Sequence, residues 1–297
     1  MTTWPHVPHS RHLHHDVYGE GGSALADPIE KHLMAKEWKF RPDTLDSLIF
    51  NDVVCFNEYR LPSRFARDDI VIDIGAHIGS FVHAALSRGC EHIYAIEPDE
   101  ANIEIASGNL RSWIAAGYVR LIRGAAWRSD VNDDQLRFDG YHLFPKSYEV
   151  MAGILNTGNG SVMWGVGTLV DKIAFDDIVD SATNNGEKRV RFLKLDCEGA
   201  EWPILLTSRR LHLIDEICGE FHEIGGCYLE ISEDREEQEP IFRSYESSNF
   251  VVEALMRFLN EAGFDAVYRR HQRPDGALEG LGLFFAKRKT AEERAYG

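Results

Sequence analysis

Short runs of apolar, mostly β-branched residues alternate with helical segments along most of this chain. The first run, Ile70–Ile74, carries a single polar residue, as expected for a strand that is buried on both faces. Strands that alternate with helices predict right-handed crossovers and a doubly wound, mostly parallel α/β sheet of Rossmann-like type. The predicted strands are Ile70–Ile74, His92–Ile96, Val119–Arg123, Val190–Leu195, Ile214–Phe221, Ala266–Tyr268 and Leu281–Ala286, and the predicted helices are Phe81–Ser87, Glu100–Ala116, Ala200–Leu206 and Asn249–Ala262.

We expect this sheet to occupy residues 67–288, because no repeat and no Pro-rich linker divides that range. The last two strands are expected to form an antiparallel hairpin at the edge of the sheet. Residues 131–169, rich in Gly, Asn and aromatic residues, are interpreted as an antiparallel β insertion. Residues 1–66 are expected to form a flexible His-rich segment followed by a cap, and residues 289–297 a C-terminal tail.

Composition excludes several classes of protein. No apolar stretch approaches the ~20 residues of a membrane span, and the N-terminus has no apolar signal region, so we expect a cytoplasmic protein with no membrane partner. The five cysteines are scattered and form no C-x-x-C, which favours reduced thiols over disulfides or a zinc site. The net charge of −16 disfavours a nucleic-acid partner.

The strongest local motif is V-I-D-I-G-A-H-I-G-S-F at residues 71–81, which joins a strand to a helix as a nucleotide-binding loop does. Gly75 permits the turn, and Gly79 is expected to let the helix pack close to the strand. His77 stands where the dinucleotide fingerprint has the glycine that admits a pyrophosphate. A cofactor without phosphates therefore fits better, and S-adenosylmethionine is such a cofactor. Its methionine end is expected on the loop, whose residues are Asp73, Gly75, Ala76, His77 and Gly79.

An acid follows the glycine loop at the distance expected of a ribose ligand. Glu97 ends the second strand, 22 residues after Gly75, where a carboxylate is placed to accept hydrogen bonds from ribose hydroxyls. After the third strand, the small residues Gly124 and Ala125 would leave a slot for the adenine ring, although close packing of the sheet explains them equally well. Each of these features can also be purely structural, and their order and spacing favour the cofactor interpretation.

Two further strand ends carry acids. Asp196 ends the strand Val190–Leu195, and Glu220 and His222 share one face of the next strand because side chains alternate. His222 or Asp196 could act as a general base on a substrate hydroxyl. Alternatively, Asp196, Glu220 and His222 could hold a divalent metal, Mg or Mn, that acidifies the hydroxyl. Helix capping or exposure to solvent remains the structural alternative for each residue.

Four motifs together resemble the FkbM-type methyltransferase family: D-I-G-A-H-I-G-S-F at 73–81, A-I-E-P at 95–98, T-L-V-D-K-I at 168–173 and L-K-L-D-C-E-G-A-E at 193–201. The resemblance covers roughly residues 52–288. It implies a seven-stranded class I methyltransferase that uses S-adenosylmethionine, generally on a hydroxyl oxygen, often in natural product biosynthesis or on sugars. By position, the resemblance assigns Asp73, Gly75 and Gly79 to the cofactor loop. It makes Glu97, which precedes Pro98, the ribose ligand, and it makes Asp196 the acid of the cleft. His77 departs from the Asn that is more usual in the family.

The leading hypothesis is O-methylation of a hydroxyl on a small molecule, either a natural product or a sugar-containing metabolite. One alternative is an NAD-dependent oxidoreductase, against which His77 argues. Another is a non-catalytic module that binds S-adenosylmethionine. The aromatic residues Tyr141, Phe144 and Trp164 could line an acceptor pocket, but we favour a place for them in the core.

Overall fold

The computed structural model describes residues 38–140, 155–163, 165, 167–224, 250–272, 276 and 278–290. Contacts divide the chain into two units, 1–38 and 39–297, and the architecture below is that of the second unit. The aromatic residues Tyr141, Phe144 and Trp164 and the His-rich residues 6–15 lie outside the described part. None of the described helices is both long enough and apolar enough to cross a membrane.

A seven-stranded sheet forms the centre of the second unit and confirms the predicted Rossmann-like fold. Its strand order is β3-β2-β1-β7-β8-β10-β9, with parallel pairing from β3 through β8 and antiparallel pairing of β10 with both β8 and β9. The expected terminal hairpin is therefore present, with β9 at the edge. The strands are β1 Ile70–Ile74, β2 His92–Glu97, β3 Val119–Arg123, β7 Val190–Leu195, β8 Glu216–His222, β9 Phe264–Gln272 and β10 Leu278–Arg288.

The strand β8 begins two residues later than predicted. Ile214 is buried but makes only an isolated bridge to Val190, after a short 3₁₀ turn at Leu211–Leu213. Apolar character alone did not distinguish this buried bridge from a continuous strand.

Helices flank the sheet as α1 Asp46–Phe50, α2 Ser80–Leu86, α3 Glu100–Asn109, α4 Arg111–Ala115, α5 Phe175–Thr183, α6 Glu201–Thr207 and α7 Val252–Glu261. A π-helical turn, Asn51–Cys55, continues α1. The prediction of one helix over Glu100–Ala116 was wrong, because Leu110 interrupts it with non-helical backbone. Leu110 is fully buried, and its side chain lies against Gly79.

A small second sheet accounts for part of the predicted insertion. Its order is β4-β6-β5, with β4 at Ala125–Trp127, β5 at Gln135–Phe138 and β6 at Thr168–Ala174. The strands β5 and β6 pair antiparallel, as expected for the insertion, whereas β4 and β6 pair in parallel.

The position of β1 determines where a ligand can bind. Its neighbours are β2 on one side and β7 on the other, so the chain order reverses at β1. In open α/β sheets, ligands bind in the crevice beyond the carboxyl ends of the strands at such a reversal. The carboxyl ends of β1, β2, β7 and β8 carry the predicted site residues, which are therefore brought to one edge of the sheet.

Candidate active site at the carboxyl edge of the sheet

The glycine loop lies directly against the end of β7. Gly75 has φ +79°, and a Cβ atom at this position would lie 1.9 Å from the carbonyl oxygen of Asp196, so only glycine fits. Gly79 has φ +92° and is the N-cap of α2, but its close neighbour is Leu110. The expectation that Gly79 lets α2 pack close to β1 is therefore wrong. The small size of Gly79 makes room for Leu110, at the junction between α3 and α4.

Glu97 and the glycine loop are joined by a direct hydrogen bond. The His77 backbone N–H donates to Glu97 Oε2 over 2.8 Å, and the Asp99 N–H and the Asn102 side-chain amide donate to Oε1. Burial raises the pKa of Glu97 above its ordinary value, opposed by His77 and these donors. A carboxylate has about four acceptor positions, so the carboxylate of Glu97 retains capacity for one more donor.

Two segments that are distant in sequence meet beside His77. Arg41 donates through Nε and Nη2 to the carboxylate of Asp46, at 2.9 and 2.8 Å, and Thr157 Oγ1 donates to the same carboxylate over 2.7 Å. His77 Nε2 lies 2.8 Å from Thr157 Oγ1 and 3.4 Å from Asp46 Oδ1. Burial opposes ionisation of Asp46, but its hydrogen bonds to His77, Arg41 and Thr157 hold its pKa well below the usual range. This network ties residues 41–46 and 157 to the loop.

Several buried polar atoms around the loop make no hydrogen bond. They are Arg41 Nη1, both oxygens of Asp73, His77 Nδ1, Ser80 Oγ and Asn102 Oδ1. Since nearly all buried polar groups in folded proteins find a partner, such a concentration calls for an explanation. The set contains acceptors for hydroxyl or ammonium groups and donors for a carboxylate, which are the polar groups of an amino acid joined to a nucleoside.

Lys194 connects β1 to β7. It is the cross-strand neighbour of Asp73, and its Nζ lies 3.3 Å from Asp73 Oδ1 and 3.7 Å from Asp196 Oδ2 while donating to the Gly75 carbonyl over 2.6 Å. Burial raises the pKa of Asp73 to about 6, against the opposing effect of the Lys194 ammonium. The Tyr59 hydroxyl donates to Asp196 Oδ2 over 2.7 Å. Lys194 and Tyr59 therefore position both acids.

The structure brings Asp196, Glu220 and His222 together, with one possible ligand atom from each lying within 4.8 Å of the others. The His222 ring is 1% exposed, with Nε2 3.3 Å from Glu198 Oε2 and Nδ1 3.4 Å from Glu201 Oε1. The backbone N–H groups of residues 197 and 199 donate to the Glu201 carboxylate, which is itself almost fully buried. Glu201 thus has a structural role and fixes the imidazole ring.

The surroundings shift the pKa values of Asp196 and Glu220 in opposite directions. Burial opposes ionisation of Asp196, but Lys194, His222 and Tyr59 together lower its pKa. Burial and the nearby Asp196 charge raise the pKa of Glu220 well above its ordinary value. Burial disfavours the charged form of His222, but Glu198 and Glu201 outweigh this effect and raise its pKa. Titratable groups whose pKa values are pushed apart are typical of acid–base chemistry.

The remaining predicted residues lie at the same edge or next to it. Ala76 is buried, and its N–H donates to the carbonyl of Ile96, while Pro98 separates Glu97 from the N-cap of α3. Ala125 is buried in β4, and a Cβ at Gly124 would lie 2.8 Å from the side chain of Ile173. Packing against β6 therefore explains Gly124, and contact of Ala125 with an adenine ring stays a prediction.

The sequence comparison identifies the family to which this constellation belongs. A family model described as the methyltransferase FkbM domain matches residues 73–266, which contain the glycine loop, Glu97 and the acid cluster. The chain belongs to the FkbM methyltransferase family. Comparison with curated protein sequences gives no significant match.

Several solved structures show a weak similarity to this FkbM-family chain at low sequence identity. They include an FkbM methyltransferase from Methylobacillus flagellatus KT, 16% identical over 88% of this chain and 60% of that chain, with a TM-score of 0.42. A precorrin-6y C5,15-methyltransferase from Geobacter metallireducens GS-15 is 11% identical over 86% and 95% of the two chains, with a TM-score of 0.36. A precorrin 8w decarboxylase from Methanobacterium thermoautotrophicum is 12% identical over 81% and 89%, with a TM-score of 0.35.

Sequence reasoning on this FkbM-family chain missed Lys194, Tyr59, Asn102 and the Arg41–Asp46–Thr157 network. Lys194 left a signal, since a lysine inside a strand expected to be buried on both faces requires a partner charge. Asn102 was within reach of the prediction, since it lies in the helix expected directly after Glu97. Tyr59 and the Arg41–Asp46–Thr157 network left no signal, because they reach the site from segments whose positions the sequence does not reveal.

Proposed function

We propose that this FkbM-family protein is an S-adenosylmethionine-dependent methyltransferase that acts on a hydroxyl oxygen of a small molecule, such as a natural product or a sugar-containing metabolite. The observation that carries the proposal is the concentration of unsatisfied buried polar atoms around the glycine loop, beside an acid cluster at the neighbouring strand ends. The first feature suits a cofactor, and the second suits a hydroxyl that must lose its proton.

The residues around the loop fit this cofactor. Glu97 has capacity for a ribose hydroxyl, and Asn102 Oδ1 is an acceptor without a hydrogen bond. Asp73 Oδ2, the oxygen of that carboxyl that is not paired with Lys194, is a further acceptor without a hydrogen bond. Arg41 Nη1 and Ser80 Oγ are buried donors suited to a carboxylate. The cofactor contacts that we assign are Asp73, Gly75, Ala76, His77, Gly79, Glu97, Pro98, Ala125 and Asp196.

S-adenosylmethionine supplies a methyl group: as the new O–CH₃ bond forms, the S–CH₃ bond breaks and its electron pair stays on sulfur. We assign Asp196 as the carboxylate that takes the hydroxyl proton, because it lies at the sheet edge next to the loop, where Lys194 and His222 favour its anionic form. Glu220, whose pKa is raised, is suited to donate a hydrogen bond that orients the acceptor oxygen. His222 lies between Glu198 and Glu201, and its ring fixes the positions of these two carboxylates.

The variant Glu97→Gln tests the cofactor site. Loss of a charge-assisted hydrogen bond is expected to weaken S-adenosylhomocysteine binding roughly tenfold or more, measured by calorimetry. The control is Glu100→Gln, three residues further on, where the carboxylate is 76% exposed and pairs with Arg123. Equal affinities of the two variants would remove Glu97 from the site.

Two alternatives have their own readouts. An NAD-dependent oxidoreductase would be stabilised in a thermal shift assay by NAD and not by S-adenosylhomocysteine, since a ligand stabilises the fold that binds it. The side chain of His77, tied to Thr157, argues against a pyrophosphate at this loop. A non-catalytic module would bind the cofactor but transfer no methyl group across a broad library of hydroxyl compounds.

A further inference from the structure

The acid cluster contains the donor set of a metal site. Asp196, Glu220 and His222 come from the ends of β7 and β8, and their nearest ligand atoms lie within 4.8 Å of one another. Ligands about 2.1 Å from a common ion lie at most ~4.2 Å apart, so these atoms must approach by roughly half an ångström. The side chains of Glu220 and Asp196 are 21% and 26% exposed, which leaves them freedom to make this movement.

The His222 ring is already oriented as a metal ligand is. Nδ1 faces the Glu201 carboxylate, which two backbone N–H groups hold in place, and the His222 carbonyl accepts a hydrogen bond from the Trp202 indole over 2.7 Å. A carboxylate on one ring nitrogen is the usual support for a histidine that binds a metal through the other. Nε2 faces Glu220 and Glu198, at 3.8 and 3.3 Å.

A second observation points to a missing positive charge. Glu198 is 8% exposed, and its Oε2 accepts no hydrogen bond although it faces His222 Nε2. The cations described nearby already face other acids: Lys194 lies close to Asp73 and Asp196, and His271 Nδ1 lies 3.6 Å from Glu220 Oε1. The ring of His222 faces three carboxylates at once, those of Glu198, Glu201 and Glu220. A buried carboxylate oxygen with no donor, beside two further acids, is satisfied by a cation.

We propose that Asp196, Glu220 and His222 bind a divalent cation, which replaces the proton on Nε2. The mixed set of oxygen ligands and one imidazole suits Mn²⁺. The chemical consequence rests on the proposed function. The ion would bind the acceptor oxygen and lower the pKa of its hydroxyl. With the ion bound, Asp196 and Glu220 would be ligands in place of the base and the hydrogen-bond donor assigned above. The hydroxyl proton would then pass to water at the exposed edge of Asp196, before the O–CH₃ bond forms and the S–CH₃ bond breaks.

The test measures Mn²⁺ binding to the full chain by loss of the free-ion EPR signal. We expect one Mn²⁺ per chain in the wild type and a dissociation constant at least tenfold larger in Glu220→Gln. The control is Glu216→Gln, on the same face of β8, where the carboxylate pairs with Arg191 and Lys287, and it should bind as the wild type does. Circular dichroism of each variant checks that it is folded.

Absence of Mn²⁺ binding at millimolar concentration overturns the proposal. Equal affinity in Glu220→Gln and the wild type also overturns it, because the ion is then held elsewhere, for example by the histidines of residues 6–15. Calorimetry with S-adenosylhomocysteine separates the two proposals. Mn²⁺ binding without S-adenosylhomocysteine binding rejects the cofactor site and keeps the metal site, and the opposite result rejects only the metal site.

Discussion

Replacing Lys194 by Met should be among the most costly single changes in the protein. Lys194 is 4% exposed, and its ammonium lies between two carboxylates, 3.3 Å from Asp73 and 3.7 Å from Asp196, while donating to the carbonyl of Gly75. Methionine retains the apolar stem but leaves both acids without this charge. Removal of one partner of a buried ion pair costs about 3–5 kcal/mol, so we expect a loss of that size in the free energy of unfolding at pH 8.

The cost should depend on pH. Burial already raises the pKa of Asp73 to about 6, and loss of Lys194 raises it further. The folded variant then binds more protons than the unfolded chain, whose Asp pKa is about 3.9, so the stability of the variant falls as pH rises through this window. Near pH 5 the Asp73 carboxyl is protonated, and the penalty relative to the wild type should shrink by roughly 1–2 kcal/mol.

Urea denaturation followed by tryptophan fluorescence measures these free energies. The control is Lys287→Met, whose side chain is 60% exposed and whose Nζ is also 3.7 Å from a carboxylate, that of Glu216. An exposed pair contributes about 0–1 kcal/mol, so the control should be nearly neutral. The double variant Asp73→Asn/Lys194→Met should recover part of the loss. A Lys194→Met cost within 1 kcal/mol of the control at pH 8 would refute the reasoning.

Two further predictions concern the same edge of the sheet. Gly75→Ala should lower the free energy of unfolding by several kcal/mol more than Gly117→Ala. The two glycines have nearly equal φ, +79° and +78°, but only a Cβ at Gly75 would meet the carbonyl of Asp196. Equal urea midpoints of the two variants would contradict this prediction. Burial raises the pKa values of Asp73 and Glu58 to about 6 and about 7, so each carboxyl binds more protons in the folded than in the unfolded state. These two carboxyls alone should lower the free energy of unfolding by about 3 kcal/mol between pH 5.5 and 8. Unchanged urea midpoints over this range would contradict the prediction.

Local pattern was sufficient for the fold and for part of the candidate site. The apolar runs, the glycine loop and Glu97 predict a parallel sheet with a cofactor edge because each signal lies within a few consecutive residues. The family motifs at 73–81 and 193–201 are likewise contiguous, and the match over residues 73–266 confirms the family. The alternation of side chains in β8 correctly placed Glu220 and His222 on one face near Asp196.

The sequence by itself determined the sheet, the family and the places where acids leave the strands, because backbone periodicity and turn chemistry are local properties. Only the tertiary structure decided how those acids are held. Lys194 meets Asp73 through the register of β1 and β7, and Tyr59 reaches Asp196 across 137 positions of the chain. Such contacts, and the pKa values that follow from them, depend on the burial and distances created when remote segments pack together.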